Sequence, residues 1–132
     1  MTTSDDDPDF TDEFCGFLQR YVGGVDAAEL LLLLAKDAAS GWEIAELHAQ
    51  LVTLTTLDES DVLRYLDVLQ HGTLVSRDAH GCVRYRPSPS HDAHVANLAR
   101  LYVERPVTLF RVIYALRDAK IKTFADAFKL RG

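Results

Sequence analysis

Apolar residues recur at helical spacing twice within residues 40–72. Each repeat follows a four-residue segment, Ser40–Glu43 or Thr56–Glu59, that fits a capping box. In this motif the first side chain accepts a backbone hydrogen bond and the fourth reaches back to the first residue's amide. The spacing predicts two helices joined by a turn. The apolar positions are Ile44, Leu47 and Leu51 after the first box, and Val62, Leu66 and Leu69 after the second.

Over residues 73–87 the spacing of apolar residues changes to that of short strands. One apolar run contains Leu74 and Val75, and a second contains Val83 and Tyr85. The loop between them, residues 78–81, begins with Asp and ends with Gly, which is typical of a hairpin turn. We therefore expect a two-stranded hairpin directly after the second helix.

Further helices are predicted on both sides of this segment. Aromatic and aliphatic residues fall on one face of Phe10–Val22, and a run of leucines makes Val25–Ala39 apolar nearly all round. Asp26 is the predicted N-cap of that second helix. After the hairpin we expect a helix from Ser90 to Arg105, a new helix from Pro106 to Leu116, a link at 120–122 and a short helix capped by Thr123.

Four segments resemble the winged helix-turn-helix domains of bacterial transcription regulators, broadly the MarR-like group: Glu43–Leu47, Val62–Leu69, Gly72–Val75 and Gly81–Tyr85. In that family a helix is followed by Gly-Leu-Val, a polar hairpin and a strand that bears Tyr. The resemblance implies a mainly α (α+β) fold, a winged helix-turn-helix with a small hairpin wing and additional N- and C-terminal helices. It also implies double-stranded DNA as the partner and a homodimer formed by helices outside the winged domain.

Charge is distributed unevenly along the 132 residues. Residues 1–70 carry 3 basic and 15 acidic residues, whereas residues 100–132 carry 8 basic and 3 acidic ones. We expect residues 1–9 to be a disordered acidic tail and residues 10–132 to form one winged-helix domain. There is no apolar run long enough for a membrane span, no secretory signal and no cysteine framework, so a cytoplasmic location is expected.

Catalytic motifs are missing from the sequence. It has no Gly-rich phosphate loop and no Ser nucleophile elbow, so neither an enzyme nor a cofactor is expected. His91 and His94 are three residues apart, and Asp92-x-His94 resembles half of the site of ArsR-type metal sensors, but Arg105 occupies the region of the second half. Two nitrogens do not complete a zinc site. Cys15, beside acidic residues in an apolar helix, is expected to be an inert thiol.

Six residues are the candidate contacts to DNA, on the predicted recognition helix and wing: Ser60, Arg64, Arg77, His80, Arg84 and Arg86. The acidic residues Asp58, Glu59 and Asp61 at the start of that helix oppose this interpretation, because carboxylates are repelled by phosphates. If they cap the helix or pair with Arg64, DNA binding remains tenable. If they are unpaired and face solvent, it becomes doubtful.

The alternative is a protein–protein interaction module that has the winged-helix fold and little or no DNA affinity. Its acidic first half and basic last third are suited to pairing across subunits or with a partner. Either Phe10–Val22 or Ser90–Leu116, or both, are the expected homodimer surface, although Phe10–Val22 is equally suited to covering the core of its own chain.

Overall fold

The computed structural model describes the backbone of residues 8–37 and 41–131, and side chains within these ranges as far as residue 118. This part of the chain contains six α-helices and one two-stranded antiparallel sheet. The prediction of a mainly α (α+β) fold, with a winged helix-turn-helix and added helices at both ends, is confirmed. The elements are α1 (Asp12–Tyr21), α2 (Val25–Lys36), α3 (Ile44–Leu51), α4 (Glu59–His71), β1 (Val75–Arg77), β2 (Val83–Tyr85), α5 (Pro89–Glu104) and α6 (Pro106–Arg131).

The first two helices each bury four residues in the core. Thr11 caps α1 by accepting a hydrogen bond from the Phe14 amide at 3.2 Å. The central helix α2 begins after Gly24, so the predicted capping role of Asp26 is wrong. Asp26 lies within the helix, and its carboxylate accepts a hydrogen bond from the Thr56 hydroxyl at 3.1 Å. Four residues of α2 are fully buried, as its leucine-rich sequence predicts: Ala28, Leu30, Leu31 and Leu34.

Both helices of the helix-turn-helix begin later than predicted. Helix α3 is capped by Glu43 and Glu46, because Trp42 is extended and exchanges two 2.8 Å backbone hydrogen bonds with Val83 of β2. A helix capped by Ser40, which lies outside the described residues, would destroy that pairing. Helix α4 is capped by Asp58, whereas Thr56 donates to α2.

The wing has the predicted hairpin topology. Val75 pairs with Tyr85, Ser76 with Arg84 and Arg77 with Val83. The turn is closed by Asp78, whose Oδ1 accepts from the amides of His80 at 2.8 Å and Cys82 at 3.0 Å. Gly81 adopts a φ of +83°, a conformation that favours glycine. Because side chains alternate along a strand, this register decides which wing residues face the core.

The two C-terminal helices also differ in detail from the prediction. Ser88, two residues before the predicted Ser90, caps α5, and Pro89 occupies the first helical position. A new helix begins at Pro106, as predicted, but α6 then continues for 26 residues. The predicted link at residues 120–122 and a separate helix capped by Thr123 are therefore wrong. No Gly or Pro occurs between Val107 and Arg131 to end the helix.

One cluster of buried residues joins these elements, running from Phe10 to Ile113. Helix α1 packs on α5 and α6, α2 packs on α5 and β2, and α4 packs on α3 and β1. Among the residues that the structure describes, none of the helices has both the length and the apolar composition required to cross a bilayer. The packing leaves the outer sides of α4 and the wing accessible.

Candidate nucleic-acid interface

The acidic start of α4 is occupied by interactions within the chain. Asp58 Oδ1 accepts from the Asp61 amide at 2.8 Å, and Asp61 Oδ2 accepts from the Asp58 amide at 3.2 Å. This is a reciprocal capping box, which satisfies amides that the helix itself leaves unpaired. Carboxylates at this position also interact favourably with the helix dipole. Of the three acidic residues that oppose DNA binding, Asp58 and Asp61 thus cap the helix, whereas Glu59 is exposed.

Arg64 is the cation on the outer face of α4. Its Nη2 lies 3.2 Å from Asp61 Oδ1, while 74% of its side chain is exposed. An ion pair this exposed contributes little stability, about 0–1 kcal/mol. The guanidinium can therefore exchange Asp61 for another anion at small cost. Ser60, on the same outer side of the helix, is exposed as well.

Arg77 lies on the inner face of the wing, unlike the other wing arginines. Its pairing with Val83 places it on the same side of the sheet as the buried Val75 and Val83. Its Nη2 is 3.1 Å from Asp67 Oδ1 of α4, and its side chain is 22% exposed. The contact is an ion pair without hydrogen-bond geometry, since Nε and Nη2 make no hydrogen bond within the described chain. Arg77 joins the wing to α4 rather than facing solvent.

The outer face of the wing carries the remaining candidates. Arg84 is opposite Ser76 and half-buried. The Arg84 guanidinium lies close to the backbone that precedes α3, because a Cβ added at Gly41 would be 3.3 Å from Arg84 Nη2. Arg86 and His80, at the end of β2 and in the turn, are exposed. The structure thus separates the candidates into an outward set and the inward Arg77.

Apolar side chains are also exposed near this face. On α4, Leu63 is 37% exposed and Val68 is 42% exposed. In the turn before α4, Val52 and Leu54 are more than half exposed. Exposed apolar residues on a recognition surface are more typical of protein contacts than of phosphate contacts. They are the observation that favours the interaction-module alternative.

The apolar face of the predicted dimer arm Phe10–Val22 is covered within the chain. Its large residues Phe14, Phe17 and Tyr21 are buried against α5 and α6. In the other predicted dimer segment, Ser90–Leu116, three large apolar residues remain exposed: Val103, Val107 and Tyr114. Any apolar dimer contact therefore has more available surface in the second segment than in the first.

Asp9 fastens the start of the described chain to the corner between α5 and α6. Arg100 Nη2 donates to Asp9 Oδ1 at 2.5 Å, and Arg105 Nη1 donates to Oδ2 at 2.8 Å. These two hydrogen bonds, first that from Arg100, hold the pKa of Asp9 below its usual value. The predicted tail of residues 1–9 lies mostly outside the described residues, but Asp9 itself is held in place. Two of the basic residues in the last third of the chain are thereby paired with a carboxylate of the same chain.

Two histidines of α5 and one cysteine of α1 lie against aromatic and apolar side chains of the core. The His94 ring centroid is 5.2 Å from that of Phe17 and 5.8 Å from that of Phe14, and His91 contacts Phe17 and Tyr21. Burial lowers the pKa of His91. In the described part of the chain no three His, Cys, Asp or Glu residues are placed to hold a metal ion. Burial raises the pKa of the Cys15 thiol, as expected from its sequence context.

Arg20, which the sequence did not indicate as a candidate, lies next to α4. Arg20, in the last turn of α1, lines a groove together with Arg64 and His71 of α4. The approach depends on how α1 packs against α4, where Tyr65 Oη, in the middle of α4, donates to the Tyr21 carbonyl at the end of α1. These positions are 44 residues apart. No local pattern in the sequence signals a contact over that separation.

Comparisons with protein-family models, with curated proteins and with solved structures give no match for this chain.

Proposed function

We propose that this protein is a DNA-binding transcriptional regulator that contacts the duplex with α4 and with the outer face of its wing. The observation that carries the proposal is the pairing of the acidic residues on α4. Asp58 and Asp61 cap the helix, Asp61 also pairs with Arg64, and Asp67 pairs with Arg77. The repulsion expected from the acidic sequence is therefore reduced.

The proposed contacts fall into two groups. Ser60 and Arg64 on α4 face the bases, because a recognition helix presents the N-terminal part of its outer side to the major groove. Arg84, Arg86 and His80 of the wing face the phosphates and the adjacent minor groove. Arg77 positions the wing against α4 and makes no direct contact. The protein works without catalysis or a cofactor, in the cytoplasm and as a homodimer.

Fluorescence anisotropy with labelled random and genomic duplexes, over a salt series, tests this proposal. We expect micromolar or tighter binding whose logarithm falls steeply with the logarithm of salt concentration. The double substitution Arg84→Ala with Arg86→Ala should reduce the magnitude of that slope by about 2, since each lost phosphate contact removes about 0.9. Lys36→Ala, which removes an exposed charge at the end of α2, is the matched control. Light scattering on the same samples gives the number of subunits.

The second candidate function is a protein-docking module, favoured by the exposed Leu63 and Val68 on α4. It predicts that the wild-type protein does not bind any duplex even at low salt. If the wild type binds and the salt slope is unchanged in the double variant, the wing does not contact DNA, although the protein still binds it.

A further inference from the structure

A groove runs along one flank of α4, between this helix and the end of α1. It has a volume of about 530 Å³ and is lined by Arg20 and Tyr21 of α1 and by residues of α4 that include Arg64, Val68 and His71. A second groove, of about 280 Å³, continues from it past Arg64 and Val68 towards α2. The flank thus has an apolar floor with arginines at its border.

Two arginines line this groove, and Arg20 differs from Arg64 in its charged neighbours. The two bordering carboxylates already have arginine partners: Asp67 is 3.1 Å from Arg77, and Asp61 is 3.2 Å from Arg64. Arg20 is exposed, and within the described residues no carboxylate pairs with it. The pKa of the nearby His91 is lowered chiefly by burial and in smaller part by the positive charge of Arg20. An anion entering the groove would therefore meet an uncompensated positive charge.

We infer that this groove receives a phosphate of the DNA backbone and that Arg20 is the residue that contacts it. The inference rests on the proposed function, because it places the duplex against the outer side of α4. Arginine suits this role, since its planar fork of N–H donors matches two phosphate oxygens. Tyr21 and Val68 supply apolar surface along which its aliphatic stem can lie.

A phosphate contact on this flank would complement the wing. The wing meets α4 at Asp67, which pairs with Arg77, and Asp67 also lines the groove that Arg20 of α1 borders. Phosphate contacts from two separate elements, the wing and α1, would fix the register and orientation of α4 on the duplex without reading sequence. Substitution of Arg20 should therefore weaken binding to all duplexes alike.

The test is the anisotropy salt series with Arg20→Ala, and with Lys36→Ala as the control that removes an equal exposed charge elsewhere. For Arg20→Ala we expect the magnitude of the salt slope to fall by about 1, and the affinity at low salt to fall by about three- to tenfold for every duplex. Arg20→Lys should restore the slope, because the charge is kept. Arg20→Gln, which keeps a polar stem, serves as a second neutral variant if Arg20→Ala folds poorly.

The outcomes separate this inference from the proposed function. If the wild type binds and Arg20→Ala behaves like Lys36→Ala, the groove has no role in binding, while the proposed function stands. If Arg20→Ala loses affinity for one sequence only, Arg20 reads bases and the phosphate assignment is wrong. If the wild type binds no duplex, both proposals are overturned.

Discussion

Helix α4 and the wing both present polar side chains to solvent, but different contacts hold them in place. Helix α4 is fixed by distant parts of the chain: Leu66 and Leu69 are fully buried, and Tyr65 donates to the Tyr21 carbonyl of α1. The tip of the wing is fixed by its own residues, through hydrogen bonds from the amides of His80 and Cys82 to Asp78. Stability therefore depends on α4 more than on the wing tip.

The two regions also differ in how they use charge. On α4 the outward Arg64 and Asp67 each have an ionic partner in the chain. In the wing, the strand register turns Arg77 inward and leaves Arg84 on the other face. The number of charged residues in the sequence thus overestimates the charge that is available to a partner. The alternation of side chains along a strand shows which of these residues face inward.

The largest effect of a substitution on the free energy of unfolding is expected where the end of α4 contacts α1. A Cβ added at Gly72 would lie 2.4 Å from Tyr21 Cε1, and the Tyr21 ring is confined by Phe17 and His91. We expect Gly72→Ala to reduce the free energy of unfolding by about 1–3 kcal/mol, measured by urea denaturation, because an overpacked core must shift.

Gly16→Ala is the matched control, since a Cβ there would meet nothing within 4 Å. Gly16 lies within α1, where alanine favours the helix, so this substitution should stabilise the protein by about 0.5–1 kcal/mol. Equal effects of the two substitutions would show that the end of α4 is not tightly packed against α1.

A smaller loss of unfolding free energy is expected from a substitution at the start of α4. Asp58→Ala removes the side chain that accepts from the Asp61 amide, and should destabilise by about 1 kcal/mol. Asp58→Ser retains a capping oxygen and should stay within a few tenths of a kcal/mol of the wild type. Urea midpoints of the three proteins check this. If the serine variant loses as much as the alanine variant, the negative charge, rather than the hydrogen bond, is what stabilises the helix.

The smallest effect is expected at the wing tip, where it should depend on pH. Hydrogen bonds from the Cys82 and His80 amides lower the pKa of Asp78 from 3.8. A lowered pKa means that the ionised form stabilises the fold. This contribution is complete above pH 3.8 and is lost as the pH falls through the lower, folded-state value.

The difference in urea midpoint between wild type and Asp78→Ala should therefore be larger at neutral pH than at about pH 2.5. An NMR titration of the Asp78 carboxyl carbon gives its pKa directly. A midpoint difference that is the same at both pH values would contradict the role of the charge.

The fold was largely predictable from local pattern. Apolar spacing located α3, α4 and α5, and the Asp and Gly of residues 78–81 located the wing turn. The helix starts were less predictable, because tertiary contacts compete with capping sequences. Trp42 pairs with β2 and so delays α3, and Thr56 donates to Asp26 instead of capping α4. The sequence of either helix alone does not contain this information.

The candidate interface was predictable by residue type but only partly by position. The alternation that begins at the buried Val75 already places Arg77 on the inner side of the wing, and that signal was present in the sequence. The place of Arg20 beside α4 depends on how α1 packs, so the sequence could not indicate it.

The contact between Asp67 and Arg77 links two positions that belong to different elements. Loss of Arg77 would leave the Asp67 carboxylate uncompensated on the outer side of α4, where it would repel a phosphate. Loss of Asp67 would leave a half-buried guanidinium without its counter-charge. Substitutions at these two positions are therefore non-additive. Over evolutionary time the pair should be inherited or replaced together, so that covariation between positions 67 and 77 would record a recognition helix and wing that act as one unit.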